Sequence, residues 1–256
     1  MRDFSEQSLR ACVLMLLFAA PLVAFTGYRG DGSRAGYMYQ NINAASLSHA
    51  YSVTVSGPGL NASQPVSDGA YAYVGTQEGK IIKISLADGY VLPAYVQTGG
   101  PIMATGLLRN GILYIGSTDG KMYTINTSTM GVINSYKANG PISTSAIYKS
   151  YAGYDRLYFA DDNGQMYHCS GPDCGWCSGY SSHLHDYIVS APAVTKNTVY
   201  VTYSGTIHAL DENLNYIDGY NIWNPVQTAP VMMSDYDFLA ADLAGNVTMY
   251  NIFYQY

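Results

Sequence analysis

"GSTDGKMYTI" (residues 116–125) decides the fold, because variants of it recur along the whole chain. They are "GTQEGKIIKI" from Gly75, "ADDNGQMYHC" from Ala160, "TYSGTIHAL" from Thr202 and "ADLAGNVTMY" from Ala241. Each sets branched or aromatic residues in alternation around a glycine turn, the pattern of a tight antiparallel hairpin. The turn glycines are Gly79, Gly120, Gly164, Gly205 and Gly245, spaced 41, 44, 41 and 40 residues apart. A period near forty points to a repeat architecture, in which each unit buries its apolar face only against the next.

Each unit extends beyond its hairpin. An alternating segment precedes the turn: "YAYVG" (71–75), "ILYIG" (112–116), "RLYFA" (156–160), "VYVTY" (199–203) and "DFLAA" (237–241). Ahead of it stands a run of small residues ("NASQPV", "MATGLL", "STSAIY", "SAPAVT", "TAPVMM"), suited to a crowded central axis. A fourth segment follows, such as "YVQTGGP" (95–101) or "SYKANGP" (135–141). Four strands per forty residues, repeated radially, make a β-propeller blade. Gly57-Pro58, Gly100-Pro101, Gly140-Pro141 and Asn224-Pro225 punctuate the passage from an outer strand to the next inner one. The expectation is an all-β fold: a five-bladed β-propeller of four-stranded antiparallel blades over residues 50–256. The first outer strand, "AYSVTVSG" (50–57), has no hairpin before it, and the last hairpin has no outer strand after it. That N-terminal strand, with Tyr51, Val53 and Val55, is therefore expected to complete the last blade, either of its own ring or of a neighbour's.

The units resemble the PQQ-like propeller repeat of quinoprotein dehydrogenases and of the outer-membrane lipoprotein that scaffolds barrel insertion. "SAPAVTKNTVYVTYSGTIHALDENL" (190–214) and "LYIGSTDGKMYTINTSTMGVI" (113–133) carry the likeness, which spans about 60–256. It implies the propeller fold. The tryptophan that locks blades in the quinoproteins is replaced here by Pro93 and Ser135, and those enzymes use eight blades rather than five. No quinone or calcium ligands are therefore carried over, and no cofactor is expected.

The chain has 256 residues, of which 48% are hydrophobic, so a sizeable core is available. Charged residues make up only 12%, about half of the common share of roughly 25%, while 26 positions are tyrosine. Tyrosine suits half-wet strand surfaces and interfaces. A net charge of −6 without any Lys/Arg cluster argues against nucleic acid as a partner. The apolar run "ACVLMLLFAAPLVAF" (11–25) is 15 residues long, short for a membrane span and right for a signal-peptide core. Residues 1–26 thus read as a cleaved signal peptide or a retained N-terminal apolar helix for membrane contact or assembly, followed by a linker over 27–49. Either way the chain is exported. Asn61, Asn126 and Asn246 open N-x-S/T sequons and are candidate glycosylation sites.

Two kinds of chemistry bear on such a chain. Five-bladed glycosidases need paired carboxylates on inner strands. Here Asp68, Asp155, Asp235 and Asp237 fall between inner and second strands, and Glu78, Asp119, Asp161, Asp162 and Asp242 fall in hairpin turns. Asp88, Asp211, Glu212 and Asp218 read as residues of later turns. The only irregular insert is "YHCSGPDCGWCSGYSSHLHD" (167–186). Cys169, Cys174 and Cys177 read as one disulfide with a third thiol left over, or, with His168, as a zinc knuckle with His183 or His185 in reserve. His208 reads as a packing histidine. The expected function is that of an exported, non-catalytic structural or adhesive protein, the self-assembling subunit of a surface filament or layer, whose partner is itself or another envelope protein. The alternative is a ligand-binding or assembly-scaffold propeller of the envelope, with a glycosidase or quinone enzyme third.

Overall fold

The computed structural model describes residues 52–54, 63–171, 174–180, 190–196, 198–203, 205–221, 229–234 and 237–251. The expected N-terminal helix and linker, and Tyr51, Val55 and Asn61, lie outside them. Among the described residues no helix is long and apolar enough to cross a membrane.

All described regular structure is β. The first sheet consists of β1 (Val66–Ser67), β2 (Tyr71–Gly75), β3 (Lys80–Ser85) and β4 (Val91–Gln97). The second holds β5 (Leu107–Arg109), β6 (Ile112–Gly116), β7 (Lys121–Asn126) and β8 (Gly131–Lys137). The third holds β9 (Ile147–Tyr151), β10 (Tyr154–Ala160), β11 (Met166–Ser170) and β12 (Trp176–Tyr180). The fourth holds β13 (Ala193–Val194), β14 (Thr198–Tyr203), β15 (Thr206–Asp211) and β16 (Tyr216–Asn221). The fifth holds β17 (Val231–Met232), β18 (Asp237–Ala241) and β19 (Val247–Asn251). Every sheet is an antiparallel meander in chain order, four-stranded in the first four and three-stranded in the fifth. The hairpin glycines explain the regularity. Gly79, Gly120, Gly164, Gly205 and Gly245 all have φ between 75° and 87°, a region open to glycine at little cost.

The small-residue runs form shorter strands than their sequence suggests. Only their C-terminal ends join the ladder, and in three of the five a proline sits just before the paired residues (Pro65, Pro192, Pro230). Proline has no N–H to donate. What the small residues do instead is tie consecutive runs together. The Gln64 N–H donates to Thr105 Oγ1 (2.9 Å), and the Thr105 N–H donates to Ser145 Oγ (3.0 Å). Asp218, expected in a turn, stands within the outer strand β16.

Side chains alternate between two faces of each sheet, and consecutive sheets pack face to face. Tyr73, Ile81 and Val96 of the first sheet meet Leu113, Ile115, Tyr123 and Ile125 of the second. Tyr114 and Met122 then meet Leu157, Phe159 and Tyr167 of the third. Tyr158 and Met166 meet Val199, Val201 and Leu210 of the fourth, and Tyr200 and Ile207 meet Phe238 and Ala240 of the fifth. The remaining face of the first sheet (Ala72, Val74, Ile82, Ile84) is covered by Val53, itself only 7% exposed.

Candidate functional site

Two features stand out from the repeat: the joints between sheets, and the places where the repeat is broken. At the first two joints the hairpin of one sheet grips the chain leaving the previous one. The Ile102 N–H donates to the Thr76 carbonyl and the Thr118 N–H to the Pro101 carbonyl, both at 3.0 Å. One period later the Ile142 N–H donates to Ser117 O (3.0 Å) and the Asp162 N–H to Pro141 O (2.7 Å). A carboxylate strengthens each grip. Asp119 Oδ2 accepts the Gly99 N–H (2.8 Å) and the Tyr123 hydroxyl (2.6 Å). Burial opposes ionisation of Asp119, but these donors, with the Lys121 N–H and Ser117, outweigh it and hold its carboxyl below the ordinary range. Tyr123 is pushed up to about 12, by burial first and then by the adjacent carboxylate. Asp161, fully buried, takes the Gly140 N–H (2.9 Å) and the Tyr167 hydroxyl (2.8 Å) on Oδ2. These acids were read from sequence as turn formers. Their cross-sheet grip was missed, although a tyrosine four or six residues downstream of each, in phase with the Gly-Pro punctuation, was a usable signal.

The first strands of the five sheets, β1, β5, β9, β13 and β17, read VS, LLR, IYKSY, AV and VM, without a carboxylate. Asp155 and Asp237 instead belong to the second strands β10 and β18.

The cysteines lie on the β11–β12 hairpin. Register sets Cys169 opposite Cys177, and these two form a disulfide. Cys174 is a buried thiol outside the disulfide, in the bend between them, with the three sulfurs within 4.8 Å of one another. His168 does not join them. As the neighbour of Cys169 on a strand it points to the opposite face, where its ring lies 6.4 Å from that of Tyr158. Burial, and then the Arg156 charge, hold its pKa below the ordinary range. The zinc set that included His168 is thus split by the pleat, and His183 and His185 lie outside the described residues. His208 packs edge-on to Tyr216 at 5.4 Å and is likewise shifted down by burial. Of the sequons, Asn126 uses its side-chain oxygen to accept the Ser128 and Thr129 N–H groups in the β7–β8 turn. Asn246 donates to Asp242 from its exposed turn.

A disulfide closing so short a loop stabilises mainly by restricting the unfolded chain. For a sequence separation of 8 this is worth about 2.5 kcal/mol. Cys177→Ser should therefore lower the unfolding free energy by about that amount, measured in denaturant with the wild type kept oxidised. A change below about 0.5 kcal/mol would mean that the bond is absent in solution.

The fifth sheet breaks the repeat most sharply. The residue two places after each turn glycine is Ile81, Met122, Met166 or Ile207 in the first four sheets, and each is 0% exposed. The corresponding residue of the fifth sheet, Val247, is 69% exposed. Register places Val231, Leu239 and Met249 side by side, with Ala241 beside Val247, so this face is apolar up to the Asp237–Asn251 pair at its end. Met249 is 64% exposed and Leu243, in the turn, is also exposed. Among the described residues no fourth strand pairs with β19.

No family model matches the chain, and no curated protein does. Solved structures do. One is the crystal structure of the computationally designed Ika8 protein, at 17% identity and a TM-score of 0.58, over 73% of this chain and 57% of that one. The chain thus spans a little over half of that protein's length, and the likeness speaks to the fold alone.

Proposed function

We propose that this chain is an exported, non-catalytic structural or adhesive protein, the repeating subunit of a cell-surface filament or layer. In this reading the five sheets are the blades of a propeller, and the fifth blade is left for another element to finish. The observation that carries it is the apolar outer face of the fifth sheet, where Val247 is 69% exposed at a position that is sealed in every other sheet. An apolar face of this kind marks an interaction surface. A low charge content and abundant tyrosine favour such contacts, and a hairpin disulfide suits an oxidising compartment. Negative-stain microscopy of material sheared from native cells, identified by mass spectrometry, tests the proposal. Regular polymers containing this chain are expected. A monodisperse monomer at high concentration, with no polymer on cells, would overturn it.

A second reading, an envelope scaffold that binds a different protein, draws on Trp176. This side chain is 82% exposed on the outer strand β12, beside the disulfide. Exposed tryptophans are common anchors of interfaces. That reading expects a partner recovered by crosslinking and no self-assembly.

A further inference from the structure

We infer that the β11–β12 hairpin is a covalent attachment site for a small outside disulfide, in which Cys174 attacks the Cys169–Cys177 bond and Cys177 is the sulfur handed to the ligand. This inference goes beyond the self-assembly reading and stands without it.

Three observations carry it. The first is proximity: the sulfurs of Cys169, Cys174 and Cys177 lie within 4.8 Å of one another, so the Cys174 thiol is in reach of both sulfurs of the bridge. All three side chains belong to the apolar cluster that holds Phe159 and Tyr167. The second is that Cys174 is held in place. Its φ of 54° lies in the left-handed region, which residues other than glycine adopt uncommonly. Its N–H donates to the Gly171 carbonyl (3.3 Å), and Asn134 Nδ2, from β8 of the second sheet, donates to its carbonyl (3.3 Å). The third is access. Cys169 and Cys174 are 1% and 2% exposed, whereas Cys177 is partly exposed on the edge strand β12, between exposed Trp176 and Ser178.

Burial sets the direction of the exchange. It shields Cys174 from reagents in solution, so the electrophile within its reach is the bridge beside it. A thiolate displaces one disulfide sulfur and expels the other, and the better-stabilised thiolate leaves faster. Water meets a charge on Cys177 but not one on Cys169, so Cys174 attacks Cys169 Sγ and Cys177 leaves. The Cys169–Cys174 bond forms as the Cys169–Cys177 bond breaks, the electron pair passes to Cys177 Sγ, and the proton given up by Cys174 follows it. The Cys174 carbonyl lies 3.4 Å from Cys177 Sγ, placed to accept the S–H of the released thiol. Cys177 then attacks an outside disulfide: its sulfur bonds to one half, the reagent's S–S bond breaks, and the other half leaves as a thiol with the proton. Two disulfides and one thiol enter and leave the sequence, so it needs no further oxidant or reductant. Cys177 opens only partly to solvent, which suits a small disulfide of the glutathione type rather than a folded protein.

The test uses the folded full-length chain carrying Cys12→Ser, so that only the three hairpin sulfurs report. It is incubated with excess glutathione disulfide, quenched in acid, digested without reductant and mapped by mass spectrometry. Glutathione on Cys177 together with a new Cys169–Cys174 bond is the expected result. Glutathione on Cys174 with the Cys169–Cys177 bond intact would mean that Cys174 reacts from where it sits. Glutathione on Cys169 with a Cys174–Cys177 bond would mean that the other sulfur leaves, and no adduct at all would mean that no exchange occurs. Each of these three results overturns the inference. Cys174→Ser supplies a second arm, since it removes the attacking thiol and keeps the original bridge; the yield of adduct on Cys177 should fall by about tenfold or more. An undiminished adduct there would show that the bridge opens without Cys174, which also overturns the inference. Cys174→Ala repeats this arm in case the buried serine hydroxyl disturbs the hairpin.

Discussion

Gly75→Ala is expected to destabilise the chain by about 3 kcal/mol or more, because the added methyl has nowhere to go. Gly75 ends β2 where the chain of the next unit crosses over it. A Cβ built there falls 2.1 Å from Ile102 Cγ2 and 2.4 Å from Ile102 Cβ. Ile102 cannot swing aside, since it is fully buried and its N–H is committed to the Thr76 carbonyl at 3.0 Å. The same contact recurs one period later, where a Cβ on Gly116 would lie 2.3 Å from Ile142 Cγ2. Thermal unfolding should show a loss of about 10 °C for a domain of this size. Shortening the partner should not repair the damage: Gly75→Ala/Ile102→Ala removes the Cγ clash but leaves the Cβ contact and adds a cavity. A melting point within 2 °C of wild type would mean that the junction is looser than this packing implies.

The repeat was legible in the sequence because two of its requirements are local. A two-strand turn demands a residue at positive φ, and five glycines answer it at nearly constant spacing. Alternation then assigns each strand two faces, and both are buried in the first two units, which is why "YAYVG" and "ILYIG" carry so little polarity. The joints were less legible. That Asp119 and Asp161 hold the preceding unit depends on which N–H groups a neighbouring sheet presents, and strand periodicity carries no such information. The disulfide partner was open among three cysteines until register placed Cys169 opposite Cys177. His168 looked like a ligand because it adjoins Cys169 in sequence, yet adjacency on a strand means opposite faces. The small-residue runs were read as strands, although their prolines and their side-chain hydrogen bonds, such as that of Thr105, serve the contact between units instead.

Asp161→Ala is expected to cost about 4 kcal/mol. Its carboxylate is fully buried and accepts four bonds: Gly140 N–H at 2.9 Å and the Tyr167 hydroxyl at 2.8 Å on one oxygen, Asn163 N–H at 3.1 Å and Gln165 N–H at 2.9 Å on the other. Truncation leaves the buried Gly140 N–H without its acceptor and removes the anchor of the Tyr167 hydroxyl, and the penalty for a buried unsatisfied group exceeds the net worth of the bond it lost. Asp161→Asn should cost about half as much, because one oxygen survives while the new NH2 group faces donors. The second sheet suggests a compensating change. There Ser117 occupies the position of Asp161 and Asp119 that of Asn163, and the work is shared: Ser117 Oγ accepts the Asp119 N–H (3.2 Å) and donates to the Gly100 carbonyl (3.1 Å), while Asp119 takes Gly99 and Tyr123. Transplanting that arrangement as Asp161→Ser/Asn163→Asp should recover roughly half of the loss measured for Asp161→Ala. Chemical denaturation of the four proteins would decide the matter. If Asp161→Ala is as stable as wild type, the carboxylate is not what holds the third sheet to the second. If it is destabilised and the transplanted pair shows no recovery, the two joints are built on different principles despite their shared sequence frame.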